Sequence, residues 1–167
     1  ASPFTWMEAT YRYVEIKNKL YGPRSYSGNQ SWKDKGFDLK FGLTKETNIF
    51  PAIAVGLRDL AGTGVFSSEY LVASKQLGFL NVTAGLGWGL LGSENSISNP
   101  FESISDEFKD RIKSGDQGGG INYQTWFSGK TALFGGLEYN LRSRGIKFNL
   151  EYDTSNPDEL GFNPIKV

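Results

Sequence analysis

The sequence predicts an all-β fold: an antiparallel up-and-down transmembrane β-barrel segment of about seven strands, with one short helix in a long loop. Three observations carry that prediction. The first is alternation, cleanest at Ile146-Lys147-Phe148-Asn149-Leu150-Glu151-Tyr152-Asp153. Successive side chains of a strand point to opposite faces, so one face here is apolar and the other charged or amide. Such a sheet needs two solvents, and lipid outside with water inside supplies both. The second is the rhythm of the connections, long then short, which is the pattern of outer-membrane barrels. The third is composition: 21 glycines and 14% aromatic residues suit tight β architecture with aromatics at membrane interfaces.

The first strand, about 5–17, sets Met7, Ala9, Tyr11 and Tyr13 against Glu8, Thr10 and Arg12. A second, about 35–46, sets Phe37, Leu39, Phe41 and Leu43 against Asp38, Lys40, Gly42 and Thr44. The third, about 50–60, opposes Pro51, Ile53, Val55 and Leu57 to Ala52, Ala54, Gly56 and Arg58. In the fourth, about 67–76, Tyr70 and Val72 oppose Glu69, Leu71 and Lys75. The fifth, about 79–91, sets Leu80, Val82, Ala84, Leu86, Trp88 and Leu90 against Asn81, Thr83 and three glycines. The sixth, about 131–141, divides Leu133, Leu137, Tyr139 and Leu141 from Phe134, Glu138 and Asn140, and 146–153 is the seventh. Each has roughly the 9–11 residues that cross a bilayer when tilted.

Long loops are expected at about 18–34, 60–66 and 92–130, and after Thr154; short turns are expected at Thr47–Ile49, Gln76–Gly78 and Arg142–Gly145. The longest loop predicts a helix. Asn99-Pro100-Phe101-Glu102 offers an N-cap, a proline at the first helical position and a glutamate that reaches back. Phe101, Ile104, Phe108 and Ile112 would share one helical face, with Gly115 as C-cap. That helix would lie over the barrel mouth, fold into the lumen, or simply cover an apolar patch.

Composition removes whole classes of chemistry. There is no Cys and no His, which excludes Cys/His zinc sites, thiol nucleophiles, disulfides and His-based triads. Eighteen basic residues balance 18 acidic ones, so nucleic acid is not an expected partner. No apolar run approaches the roughly 20 residues of a membrane helix. The mean hydropathy of −0.38 does not count against a barrel, whose alternation hides its lipid face from hydropathy windows. Ala1-Ser2-Pro3 resembles a turn rather than a signal peptide, so the chain reads as mature or as part of something larger.

The polar set expected to face the lumen is Arg12, Asp38, Lys40, Arg58, Glu69, Lys75, Glu138, Lys147, Glu151 and Asp153. Such groups can hydrogen-bond sugar hydroxyls and uronates, or pair with one another and hold a narrow lumen together. Trp6, Phe50, Phe79, Trp88, Trp126 and Phe127 fall near strand ends, where interfacial girdles sit. Gly62-Thr63-Gly64 could present amides to an anion but lacks the lysine and helix of a phosphate loop; a hairpin held by Arg58 and Glu69 is the expectation. Gly85, Gly87 and Gly89 leave room for a bulky neighbour, a plug or a passing chain. Glu151 and Asp153 share one strand face but carry no mark of a glycosidase pair, so no catalytic residue, metal or cofactor is expected.

Pro51–Asp59 (PAIAVGLRD), Gly62-Thr63-Gly64, Ser67–Lys75 (SSEYLVASK) and Gly85-Leu86-Gly87-Trp88-Gly89 resemble the YjbH family, outer-membrane proteins linked to exopolysaccharide and group 4 capsule production. Trp6–Thr10, Leu20–Pro23, Lys35–Asp38 and Ala132–Tyr139 extend the likeness over nearly all of the chain. The resemblance implies a longer chain with barrel modules in the bacterial outer membrane, of which residues 1–167 are a single barrel segment. The segment opens after the family's first strands and stops at Gly161–Pro164, where another would begin; the signal peptide and any lipoprotein cysteine lie outside it. Seven strands is odd, whereas single-chain bacterial barrels use even numbers, so missing strands or another chain should complete the wall. The implied partners are outer-membrane lipid, polysaccharide and other export or envelope-assembly proteins. The function that follows is assistance in exopolysaccharide or capsule secretion, with a scaffold that has no passage of its own as the alternative. For the fold, the alternative is a soluble β-sandwich.

Overall fold

A computed structural model describes residues 4–112, 119–141 and 145–156. Ala1–Pro3, Gly115, most of the Arg142–Gly145 turn and Gly161–Pro164 lie outside the described residues. Seven strands form one curled antiparallel sheet, a half-barrel, in strict sequence order. They are β1 (Met7–Leu20), β2 (Ser31–Thr44), β3 (Ala52–Leu60), β4 (Ser68–Leu77), β5 (Leu80–Gly89), β6 (Thr131–Leu141) and β7 (Ile146–Tyr152). All seven expected strands are present. β1 and β2 run several residues further at the long-loop end than alternation indicated. A sandwich would need a second sheet, and all seven of these strands belong to one.

Register sorts the side chains. Tyr11 pairs with Phe37, Val55 with Leu71, Leu71 with Leu86, Leu86 with Leu133 and Leu137 with Leu150, so these residues share one apolar face. Much of that face is uncovered: Phe148 is 60% exposed and Leu150 68%. The other face carries Glu8, Thr10, Arg12, Asp38, Lys40, Arg58, Asn81, Glu138, Lys147, Asn149 and Glu151. The sheet curls toward this polar face. Strands β3 and β7 would stand roughly 19 Å apart in a flat sheet, yet Arg58 is near enough to Asp153 to act on its charge.

Bulky groups on the polar face sit over glycines. A Cβ on Gly56 would run into the ring of Tyr70, and one on Gly85 into the ring of Phe134. Those two rings meet edge to face at 6.3 Å. Gly56 and Gly85 thus make room for large neighbours on adjacent strands, which for Gly85 is one of the expected uses, whereas Gly87 makes room for Leu91 and Gly89 lies against the Ser67 carbonyl and the Arg111 guanidinium. At the opposite end, Gly78 adopts φ +63° in a two-residue turn between the paired Leu77 and Leu80, a conformation that glycine reaches without steric cost.

The 92–130 loop departs from expectation. The capping box forms: Asn99 Oδ1 accepts from Phe101 N–H, and Glu102 Oε1 accepts from Asn99 N–H. It starts only short 3-10 turns, at Pro100–Ser103 and Asp106–Phe108. Phe101 and Phe108 pack together, but Ile104 is 74% exposed, so the four expected apolar residues do not share a buried face. Ser105, extended and capping Glu107, breaks the helix between the turns. The α-helical turn that does form, Arg24–Ser27, lies in the first loop, between β1 and β2.

Candidate functional site

The polar face is the candidate site, and it divides into a paired half and a free half. In the paired half, β1, β2 and β3 bring two arginines among three aspartates. Arg12 Nη2 lies 2.6 Å from Asp59 Oδ1 and 3.0 Å from Asp34 Oδ2, with Nε 3.8 Å from Asp38 Oδ1. Its guanidinium also stands 4.6 Å above the Phe66 ring. Arg58 Nε is 3.8 Å from Asp38 Oδ2. The aspartates brace backbone as well: Asp38 accepts from Asp59 N–H, Asp34 from Thr63 N–H and Asp59 from Phe66 N–H. The Gly62–Gly64 turn is therefore tied to carboxylates, and no anion is needed to explain it.

Alternation alone does not bring Asp34 and Asp59 to this cluster. Strict alternation puts Asp59 on the apolar side of Arg58, but a bulge between Phe37/Leu60 and Leu39/Leu57 intervenes. Asp59 takes φ +65° there and turns its carboxylate to Arg12. Asp34 lies just before the predicted start of β2, and its even spacing from Asp38, with which it flanks the Gly36 that pairs with Arg12, is the signal that puts it on the same face.

Glu69 and Lys75 do not face the polar side that alternation predicts for them. Glu69 pairs with Leu57 and Trp88, and Lys75 with Val82, which places both on the apolar side of β4. β4 is apolar on both faces, so alternation sorted its residues correctly without showing which set faces the charged wall. Both charges sit at strand ends, where loops can reach them. Arg111 grips Glu69 through two bonds, Nη1–Oε2 at 2.6 Å and Nη2–Oε1 at 2.9 Å. Phe127 N–H donates to the same carboxylate at 3.0 Å. The expected Arg58–Glu69 hairpin pair is thus replaced by Arg58–Asp38 and Arg111–Glu69. At the other end, Lys75 pairs with Glu46 at 3.2 Å and donates to the Thr47 carbonyl.

The aromatic set divides too. Trp6, Phe50 and Phe79 are exposed at the short-turn end, and Trp6 stacks between Phe4 and Phe41. Trp88 is 0% exposed, stacked on Phe101 at 5.4 Å with Phe127 edge-on at 5.2 Å. The folded loop covers it, so Trp88 and Phe127 form a small core rather than a girdle. Trp126 lines a concavity of about 220 Å³ with Arg58, Thr63 and Asn122.

The free half spans β5–β7. Glu138 is bonded to Lys147 at 2.6 Å. A concavity of about 440 Å³ opens beside it, lined by Asn81, Thr83, Phe134, Asn149, Glu151 and Asp153. Burial pushes the Asp153 carboxyl up. Hydrogen bonds from Ser155 and from the Thr154 backbone, with the charge of Arg58, outweigh burial and hold it below the usual carboxylate range. Lys40 stands opposite Glu8 in register. Among the described residues, no group of three or more carboxylates is arranged to hold a metal ion.

The sequence matches the YjbH family, described as exopolysaccharide biosynthesis protein YbjH, over residues 1–159. It is 44% identical over 154 residues to an uncharacterized lipoprotein, YjbH, of Escherichia coli strain K12. The match covers 92% of this chain and 22% of that relative, so the chain spans about a fifth of the relative's length. No solved structure matches. The chain belongs to the YjbH family of exopolysaccharide biosynthesis proteins.

Proposed function

We propose that the chain is part of an outer-membrane β-barrel wall that assists exopolysaccharide or capsule secretion, its polar face turned to a passage or docking surface for polymer. One observation carries the reading: a single sheet, apolar and largely uncovered on one side, charged and curled on the other. An exposed apolar sheet of this extent calls for lipid or a partner in water. The lipoprotein name of the relative supports an envelope location, and the family description supports the polysaccharide connection. The role needs no catalytic group.

A second reading, a scaffold with no passage, draws on the pairing of Arg12, Arg58 and Lys147 with aspartates and a glutamate. Cells carrying Lys40, Arg58 and Glu138 all changed to neutral residues separate the two. Passage requires lower polymer secretion at matched protein levels; unchanged secretion favours the scaffold. The barrel itself is tested by fractionation, because full-length protein that folds in water without detergent or lipid is not a membrane barrel.

A further inference from the structure

On the polar face, arginine–aspartate pairs engage the charges of β1–β3, whereas β5–β7 leaves polar side chains unengaged. Register aligns Asn81, Glu138 and Asn149 in one row across three strands, and Thr83, Gly136 and Glu151 in the next. Gly136 opens a hollow in the middle of this grid: an added Cβ would meet nothing nearer than 3.4 Å. Thr83 is bonded to Ser74 and Glu138 to Lys147. The side chains of Asn81, Asn149 and Glu151 have no hydrogen-bond or ion-pair partner among the described residues. The Phe134 ring adds an apolar surface, held over Gly85 and against Tyr70.

We propose that this β5–β7 concavity is a docking site for uncharged sugar units of a polysaccharide. The inference rests on the reading that polymer meets the polar face, and it narrows which polymer. Amide side chains both donate and accept, and a carboxylate accepts, so together they can satisfy neighbouring sugar hydroxyls. An aromatic ring offers the apolar face that the C–H side of a sugar ring covers. At about 440 Å³ the concavity lies in the size range of small-ligand sites, enough for a short stretch of chain at a time. Charge weighs against uronates. Lys147 is engaged with Glu138, and the Arg58 charge reaches Asp153, whereas Glu151 is free, so the unengaged charge in the concavity is negative and repels an acidic sugar.

The test uses full-length protein in detergent micelles, with cello-, malto- and galacto-hexasaccharides as uncharged probes and hexagalacturonate as the acidic one, read by saturation-transfer NMR and calorimetry at low salt. At least one uncharged hexamer should bind ten-fold or more tighter than hexagalacturonate. The N81A/N149A/E151A variant should lose that binding, and E151Q should narrow the preference. Glu8→Gln, on the same face at β1, should bind normally and reports that the wall still folds. Absence of binding by every uncharged hexamer, tighter binding of hexagalacturonate, or binding unmoved in the triple variant overturns the site. Secretion in the Lys40/Arg58/Glu138 variant separates the two failures. Lowered secretion without oligosaccharide binding leaves passage standing and removes this site. Binding with unchanged secretion does the reverse.

Discussion

Gly56 and Tyr70 show how a single missing side chain sets the thickness of the wall. The Tyr70 ring occupies the place a Cβ on Gly56 would take. Gly56→Ala should therefore destabilise the full-length protein by about 1–3 kcal/mol, the usual cost of overpacking. Tyr70→Ser in the same chain should restore most of it, and denaturant titration of single and double variants measures both. Glu69 is the more demanding site. Only 1% exposed, it holds Arg111 and the Phe127 amide at once. Removing one member of such a buried pair costs about 3–5 kcal/mol. Arg111→Ala should free the 92–130 loop, giving faster proteolysis there while the strands stay resistant.

At the scale of elements, β7 is the strand most fully exposed on both faces, and its apolar side is the sharpest probe of lipid contact. Arginine at Phe148 or at Leu39 should block membrane assembly, costing about 2–4 kcal/mol near a bilayer midplane. Normal assembly of both variants would reverse the assignment of faces. The turn after β2 has its own pH dependence. Glu46 is held below the ordinary carboxylate pKa of 4.5, first by the Gln76 N–H and then by Lys75. A lowered folded pKa means the contact stabilises fully above the ordinary value and fades as pH falls through the folded one. Protection of the Gln76 amide, corrected for intrinsic exchange, should drop on acidification below about 4.5 and lose that dependence in Glu46→Gln.

For the whole molecule, strand order was readable because each strand pairs with its neighbour in sequence, so alternation and connection length sufficed. Three features were not readable. Asp59 reaches Arg12 through a bulge, which alternation cannot express. β4 is apolar on both sides, so only its partners show that Glu69 and Lys75 lie away from Arg58. Trp88 reads as interfacial because it stands at a strand end, and the residues that bury it, Phe101 and Phe127, lie far along the chain in a loop whose fold alternation does not give. The free amides and carboxylate over β5–β7 were visible as single residues, but only register makes a grid of them. The edges of β1 and β7 have no strand beside them among the described residues, and unpaired edges invite association. Residues 1–167 expressed alone should therefore aggregate, whereas full-length protein should not, as light scattering would show.

The strict neighbour order also has a consequence in time. Every pairing in the sheet joins adjacent strands, but the β5–β6 connection runs from Leu90 to Lys130 whereas β4 and β5 are separated by Gly78 and Phe79 alone. Closing the longer connection costs about 2–3 kcal/mol more in chain entropy, at about 0.6 kcal/mol per doubling of length. Assembly should pause once β1–β5 are zipped, until the Arg111 anchor shortens the effective search. The clamp that looks like a static ornament at the rim then also speeds completion of the sheet, since halving the open connection recovers about 0.6 kcal/mol of that closure cost.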